Sequence, residues 1–334
     1  MMKPYLVDVP VCIKIWIRPE LQRKQFEVIK KVKPSVLFLC SDGGRTSEES
    51  LLIEQSRKMF DSEIDWECTV HKMYESSNLG MYTMGLKNHA WIWSNVDRCI
   101  ILEDDILPTE SFFYYCAELL EKYKNDERIS VICGMNHLGI SEEVNSDYFF
   151  SRQGSIWGFA MWKRTYDRFF DYSYSSDEYV VRKIEDFAKE NRLFRKRMNA
   201  YGKNKYYEGH VAGSEFFIEF SIYGQNQLQI IPKKNLIKNM GASADSEHSD
   251  VIKHMPRGLR RVFDMETYEL VFPLSHAKYI IPDFEYEKKR NRIMGYNRPL
   301  ISFCRKIERF SYKLFSGDIK YIIRRISRKK KYEK

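Results

Sequence analysis

Nowhere in the 334 residues do 18 apolar residues run together, so no segment is expected to span a bilayer. Met1 to Pro10 contains Lys3 and Asp8 and lacks the apolar core of a secretory signal. Cysteine is present but without a pattern. The seven residues (Cys12, Cys40, Cys68, Cys99, Cys116, Cys133 and Cys304) are odd in number and include no CxxC or metal-type spacing. Several sit in apolar, strand-like runs, and they read as reduced, buried thiols of a cytosolic protein. No internal repeat occurs, and no low-complexity segment before the C-terminal stretch. What is present is apolar residues at 43% and aromatics at 15%, enough for a core and too much for global disorder. The length favours one large α/β domain with an appendage.

The net charge of +9 conceals a division. Residues 286–334 hold 17 of the 55 Lys and Arg but only 4 of the 46 Asp and Glu, leaving 38 basic against 42 acidic residues in 1–285. A mildly acidic body argues against a nucleic-acid surface there. The boundaries expected are therefore a body over 1–285, with halves near 1–135 and 136–285, and a basic tail over 286–334.

Along the body, strands alternate with helices. Val11 to Ile17 reads as a first strand, and Arg18-Pro19-Glu20 opens a helix through Leu21, Phe26 and Ile29. Val36 to Cys40 is a second strand, ending in the turn Ser41-Asp42-Gly43-Gly44. A helix from Ser47 through Phe60, a strand over Ile64 to Tyr74, the loop Asn78-Leu79-Gly80 and a helix around Lys87 to Ser94 follow. Further strands are expected at Ile129 to Gly134, Tyr148 to Ser151 and Leu228 to Pro232, and a helix-like stretch over Lys183 to Tyr201. This alternation predicts a mostly parallel, doubly wound sheet.

The decisive segment is Ile100-Ile101-Leu102-Glu103-Asp104-Asp105-Ile106-Leu107-Pro108. Burying unpaired charge is costly, so the strand should end where the acids begin. Pro108 stops the ladder, and Thr109 or Ser111 is placed to cap the amphipathic helix beyond. Acids at the carboxyl end of a central strand lie where open α/β sheets bind ligands. Hard oxygen donors there suit Mg2+ or Mn2+, and those ions suit a diphosphate. Two other stretches could carry chemistry. Gly154 to Trp162 is apolar and punctuated by glycines, so Trp157 and Gly158 could wall a site or fill the core. Glu215 and Glu219 stand four apart on an aromatic helix, as a base pair of carboxylates or as a solvated face.

Together these motifs resemble the bacterial nucleotide-diphospho-sugar transferases of surface-polysaccharide clusters, which have the GT-A fold: a Rossmann-like, mostly parallel sheet flanked by helices. The resemblance runs in order through Asn78-Leu79-Gly80, the acidic strand, Ser155 to Arg164 and Pro232 to Gly241, over roughly residues 10 to 255. The acidic strand is also similar to that of the N-acetylglucosaminyltransferase I family. The resemblance implies that Glu103-Asp104-Asp105 is the DXD-type motif. Asp105 would then ligate Mn2+ or Mg2+ and Asp104 face the ribose or the metal's waters. It implies nucleoside contacts from Arg18 and Asp42, with Asn78 and Gly80 in the same pocket, and a diphosphate or metal contact from His248. Two departures stand out: Glu247 occupies the place of a usual Thr, and the helix at Glu215 lacks the family's tryptophans.

The function expected is metal-dependent transfer of a sugar, hexosyl or N-acetylhexosaminyl, from a nucleotide donor to a glycan hydroxyl. Glu215 is the expected base and Glu219 its alternate, and inversion at the anomeric carbon the expected outcome. The acceptor implied is polyprenyl-diphosphate-linked, at the inner face of the cell membrane. The tail fits that setting. Leu300, Phe303, Ile307, Phe310 and Leu314 recur at helical spacing among Arg305, Lys306, Arg309 and Lys313, the composition of a helix lying in an anionic membrane surface. The rival from another class is an inactive sugar-nucleotide-binding or scaffold protein at the membrane. A nucleotidylyltransferase would want a Gly-rich phosphate loop after the first strand, where this chain has Ile17-Arg18-Pro19-Glu20.

Overall fold

The computed structural model describes residues 2–169, 171–241, 255–263 and 265–315. The loop holding Asp245, Glu247 and His248, and the second apolar repeat of the tail at Ile319 to Ile326, lie outside the described residues.

Four parallel strands form the first half of the sheet. β1 (Val7–Ile15), α1 (Pro19–Val32), β2 (Pro34–Ser41), α2 (Ser47–Glu63), β3 (Thr69–Tyr74), α3 (Met81–Asn95) and β4 (Arg98–Leu102) follow one another in the expected alternation. The chain continues through β5 (Ile106–Pro108), α4 (Glu110–Lys122), β6 (Ile129–Cys133), β7 (Tyr148–Ser151), β8 (Phe159–Trp162) and α5 (Lys163–Tyr166). Helices α6 (Glu178–Phe187), α7 (Arg192–Asn204) and α8 (Ser214–Gln225) precede β9 (Leu228–Pro232) and β10 (Ile237–Asn239). Last come α9 (Arg257–Phe263), α10 (Phe284–Met294) and α11 (Pro299–Phe315). The eight-stranded sheet has the order β3-β2-β1-β4-β8-β6-β9-β7, and β5 pairs with β10 apart from it. Four of its seven ladders are parallel, so the α/β, mostly parallel sheet flanked by helices is as expected.

Strand alternation divides the core between the two faces. Val11, Ile13, Leu37, Leu39, Ile100 and Leu102 pack with Phe26, Phe112 and Leu119 on one side. Cys12, Phe38, Cys40 and Ile101 pack with Trp93 and Phe216 on the other. Five of the cysteines are buried and none is bonded; Cys304, on α11, is exposed, against the buried reading.

Boundaries moved for identifiable reasons. β1 starts at Val7, because Val9 and Val7 are also buried; its register with β2 breaks between Val7 and Pro10, which has no N–H to give. The third strand begins only at Thr69, since Trp66 turns inward and its Nε1 donates to the Pro34 carbonyl at 2.9 Å. The stretch over Lys183 to Tyr201 is two helices, because the Asn191 side chain accepts from the Phe194 N–H and starts α7 afresh. Neither Thr109 nor Ser111 caps α4 with its own side chain; the Ser111 N–H donates instead to Glu269 Oε2 at 2.8 Å. Helix α10 straddles the expected boundary at 285 and packs on the body, with Tyr286, Glu287 and Ile293 buried.

Candidate functional site

β4 ends at Leu102, and the three acids form the turn into β5. Each has a partner at the carboxyl edge of the parallel strands. Lys14, near the end of β1, donates to Glu103 Oε1 at 3.1 Å. Arg18, the residue before α1, donates through one Nη to Asp104 Oδ2 at 3.1 Å and to Asp105 Oδ2 at 3.2 Å. Gln25 Nε2 fastens the turn from α1, donating to the carbonyls of Glu103 at 2.8 Å and Ile106 at 2.7 Å. From the other side the Met240 N–H donates to the Asp105 carbonyl at 2.7 Å. Gly241 is required there: a Cβ on it would stand 2.1 Å from Asp105 Oδ2.

Electrostatically the turn holds more negative charge than it answers. The side chains of Asp104, Asp105 and Arg18 are 14%, 18% and 16% exposed, so water screens them little. Burial, then the neighbouring Asp105 charge, raises the Asp104 carboxyl to about 7 despite Arg18. Asp105 is raised by burial and by Glu103. Its Oδ1 is buried without a hydrogen-bond partner. Hard carboxylate oxygens, one of them unanswered, fit a divalent cation that takes its remaining ligands from water and a diphosphate. Among the described residues no three His, Cys, Asp or Glu are grouped to hold a metal by themselves. Asp104 and Asp105 are the carboxylates at this turn that could hold one.

Asp42, Asn78 and Gly80 come together two strands over from the acidic turn, as a clasp. Asp42 Oδ1 accepts from the N–H of Gly43 at 2.9 Å and of Leu79 at 2.8 Å. Its Oδ2 accepts from Asn78 Nδ2 at 3.1 Å and from the Gly80 N–H at 3.0 Å. The carboxylate thus ties the loop after β2 to the loop after β3, and Gly80, at φ 81°, makes the turn into α3.

Glu103 also lines a cavity of about 650 Å³ with Trp157, Glu215 and Glu219. Trp157 is a wall residue whose ring lies 4.9 Å from that of Phe263, whereas Trp162 is buried with its Nε1 on the Leu120 carbonyl. Gly158 sits behind the wall. At φ 58° its carbonyl accepts from the Gly134 N–H at 2.9 Å, and a Cβ would press on Ile106 and Ile237 at 3.1 Å. The two glutamates of α8 are unlike. Glu215 is 62% exposed with Arg197 at 3.7 Å. Glu219 lies deeper, and burial and then Glu215 raise its carboxyl to about 7. Asn191 Nδ2 donates to Glu219 Oε1 at 3.2 Å.

Asn191 and Arg290 escaped the reading of the sequence. Asn191 carried a usable signal, a capping residue before a helical run. Arg290 did not: it lies among Lys288, Lys289 and Arg292 in what composition marks as tail.

No family model and no curated protein matches the chain. Many solved structures overlap it, three of them only loosely. One is a mannosyltransferase from Pyrobaculum calidifontis in complex with GDP-Man and Mn2+, 10% identical, covering 67% of this chain and 72% of that one at a TM-score of 0.36. Another is 4-diphosphocytidyl-2C-methyl-D-erythritol synthase from Anaerococcus prevotii, also 10% identical, with 66% and 99% covered and a TM-score of 0.33. The third is A197 from STIV, 8% identical, with 49% and 69% covered and a TM-score of 0.28. Overlaps this loose carry nothing about chemistry, which rests on the residues above.

Proposed function

We propose that the protein is a glycosyltransferase of the GT-A type, moving a sugar from a nucleoside-diphosphate donor to a hydroxyl of a glycan. The observation that carries this reading is the cavity itself. It joins the acidic end of β4, through Glu103, to Glu219, a carboxyl raised to about 7. A base with its pKa near working pH is half deprotonated and still strong enough to take a proton. Glu219 removes the acceptor's hydroxyl proton, and the freed oxygen bonds to the anomeric carbon. The bond from that carbon to the nucleoside diphosphate breaks, with inversion. Arg18 and the loops tied by Asp42, Asn78 and Gly80 border the nucleoside at the carboxyl edge of β1 to β3. Trp157 walls the donor sugar. A divalent cation, Mn2+ or Mg2+, held by Asp104 and Asp105 would offset charge on the departing diphosphate. Glu215 is left as the outer carboxylate, and His248, outside the described residues, keeps the role the resemblance implies, a diphosphate or metal contact.

The setting proposed is an anionic membrane surface, with the acceptor carried on a polyprenyl diphosphate. Among the described residues no helix is long and apolar enough to cross a membrane. The test is a thermal-shift screen of nucleotide sugars with and without Mn2+, followed by assay of metal-dependent release of the nucleoside diphosphate. Stabilisation by one donor class with metal-dependent release is expected. Binding without release would favour the inactive sugar-nucleotide-binding protein, and no binding would defeat both.

A further inference from the structure

The same cavity gathers cations with no role in the chemistry above. Arg152, Arg192, Lys196, Arg197, Arg290 and Arg298 all line it. Two are answered: Arg152 by Glu287 at 2.8 Å, and Arg197 by Glu215 at 3.7 Å. Arg290, from α10, forms no ion pair among the described residues and hydrogen-bonds only neutral groups, though its charge also acts on Glu219. Its guanidinium donates to the Gly154 carbonyl at 3.0 Å, to Gln153 Oε1 at 3.4 Å and to Asn291 Oδ1 at 3.5 Å, and lies 5.4 Å over the ring of Tyr296. Its Nε is buried with no partner. Arg192, Lys196 and Arg298 stand exposed at the cavity and make no ion pair among the described residues.

A cation left with neutral acceptors and an orphaned donor is costly, and an anion arriving beside it recovers that cost. Asp104 and Asp105, which would take the donor diphosphate through a cation, do not line this cavity, whereas Glu219 does. We infer that Arg290, with Lys196 and Arg298, binds an oxyanion carried by the acceptor, a phosphate ester or a sugar carboxylate near the hydroxyl that reacts. This rests on the transferase reading for the word acceptor; the binding itself does not.

Calorimetric titration of the full chain with inorganic pyrophosphate and, separately, with glucuronate tests it without any turnover. Binding of at least one probe is expected, weakened roughly ten- to a hundredfold by Arg290→Gln, the range for a lost charge-assisted hydrogen bond. The double variant Lys196→Ala/Arg298→Ala, changed only at exposed positions, should weaken it as well and guards against misfolding of the first. Which probe binds tells phosphate from carboxylate. The titration is then repeated with UDP, GDP or CDP present with Mn2+. Survival of probe binding beside a bound nucleotide supports an acceptor anion, while displacement assigns the cations to the donor and overturns the inference. Failure of both probes, or binding indifferent to both variants, overturns it too. Failure of every nucleotide to bind, with probe binding intact, would count against the transferase reading alone.

Discussion

At the scale of single residues, two carboxylates at the acidic turn compete for one guanidinium. Arg18 lies between Asp104 and Asp105 at 3.1 and 3.2 Å, yet both carboxyls remain raised, because burial and a neighbouring acid (Asp105 for Asp104, Glu103 for Asp105) outweigh one cation. Asp105→Asn keeps the size and removes the charge a divalent ion needs. We expect metal-dependent turnover to be lost with the fold kept, and turnover still responsive to chelator would sink the assignment. On α8 the environments separate the two glutamates. Glu219→Gln should retain donor binding and lose most turnover, about 10² to 10⁴-fold for a general base, while Glu215→Gln loses far less. A fully active Glu219→Gln beside a dead Glu215→Gln would reverse the roles. The wild-type rate should rise with pH through about 7, as Glu219 deprotonates. Stability moves the opposite way. A carboxyl raised in the folded state binds more protons there than in the unfolded chain, so its contribution falls as pH climbs from its ordinary value of 4.5 to about 7. Glu219→Gln should flatten that part of the melting profile. The three acids were legible because they break an apolar run; Arg290 was not, because its meaning comes from neighbours distant in sequence, Gln153 and Gly154.

At the scale of elements, strands and helices were legible wherever periodicity and punctuation agreed, as at Tyr148 to Ser151 and Leu228 to Pro232. What escaped was set by long-range contact. The first turn of α4 receives its capping carboxylate from Glu269, 158 residues away, by the Ser111 N–H at 2.8 Å, with the Ser111 hydroxyl on the same oxygen. No local pattern announces such a partner. Because an anion at a helix N-terminus satisfies an orphan donor and favours the dipole, Glu269→Ala should cost about 1 kcal/mol, read as a lower urea midpoint at unchanged slope. An unchanged midpoint would deny the cap. The approach of β10 to the acidic turn gives a sharper case. Gly241→Ala puts a methyl where Asp105 Oδ2 now lies, so the carboxylate must move. Weaker Mn2+ binding is expected, with the melting temperature changed less than the metal affinity.

At the scale of the whole molecule, α11 presents its faces in an unusual order. A surface helix usually buries its apolar stripe and leaves its charges in water. Here the contacts to the body are polar. Arg305 donates to the Ile293 carbonyl, Glu308 accepts from the Arg257 N–H at 3.0 Å, and Arg260 lies 5.0 Å over the ring of Tyr312. Leu300, Phe303, Ile307, Phe310 and Leu314 are all exposed, Leu300 at 80%. Exposed Lys306 and Arg309 flank them. A helix merely docked by its apolar side, the bland alternative for this composition, is not the arrangement found. An apolar stripe bordered by cations suits an anionic bilayer surface, where each Lys or Arg near the headgroups contributes about 1 kcal/mol. The helix begins at Pro299, itself part of the cavity lining, so a membrane seat would hold the cavity close to a lipid-borne acceptor. We expect the full chain to float with vesicles containing anionic lipid, less in high salt, and not with neutral vesicles. Phe303→Ser with Ile307→Ser, changed at exposed positions, should abolish flotation without lowering the melting temperature. A chain ended near Asn297 should also stay in solution. Equal flotation of all three, or none by any, would reject the tail as the anchor.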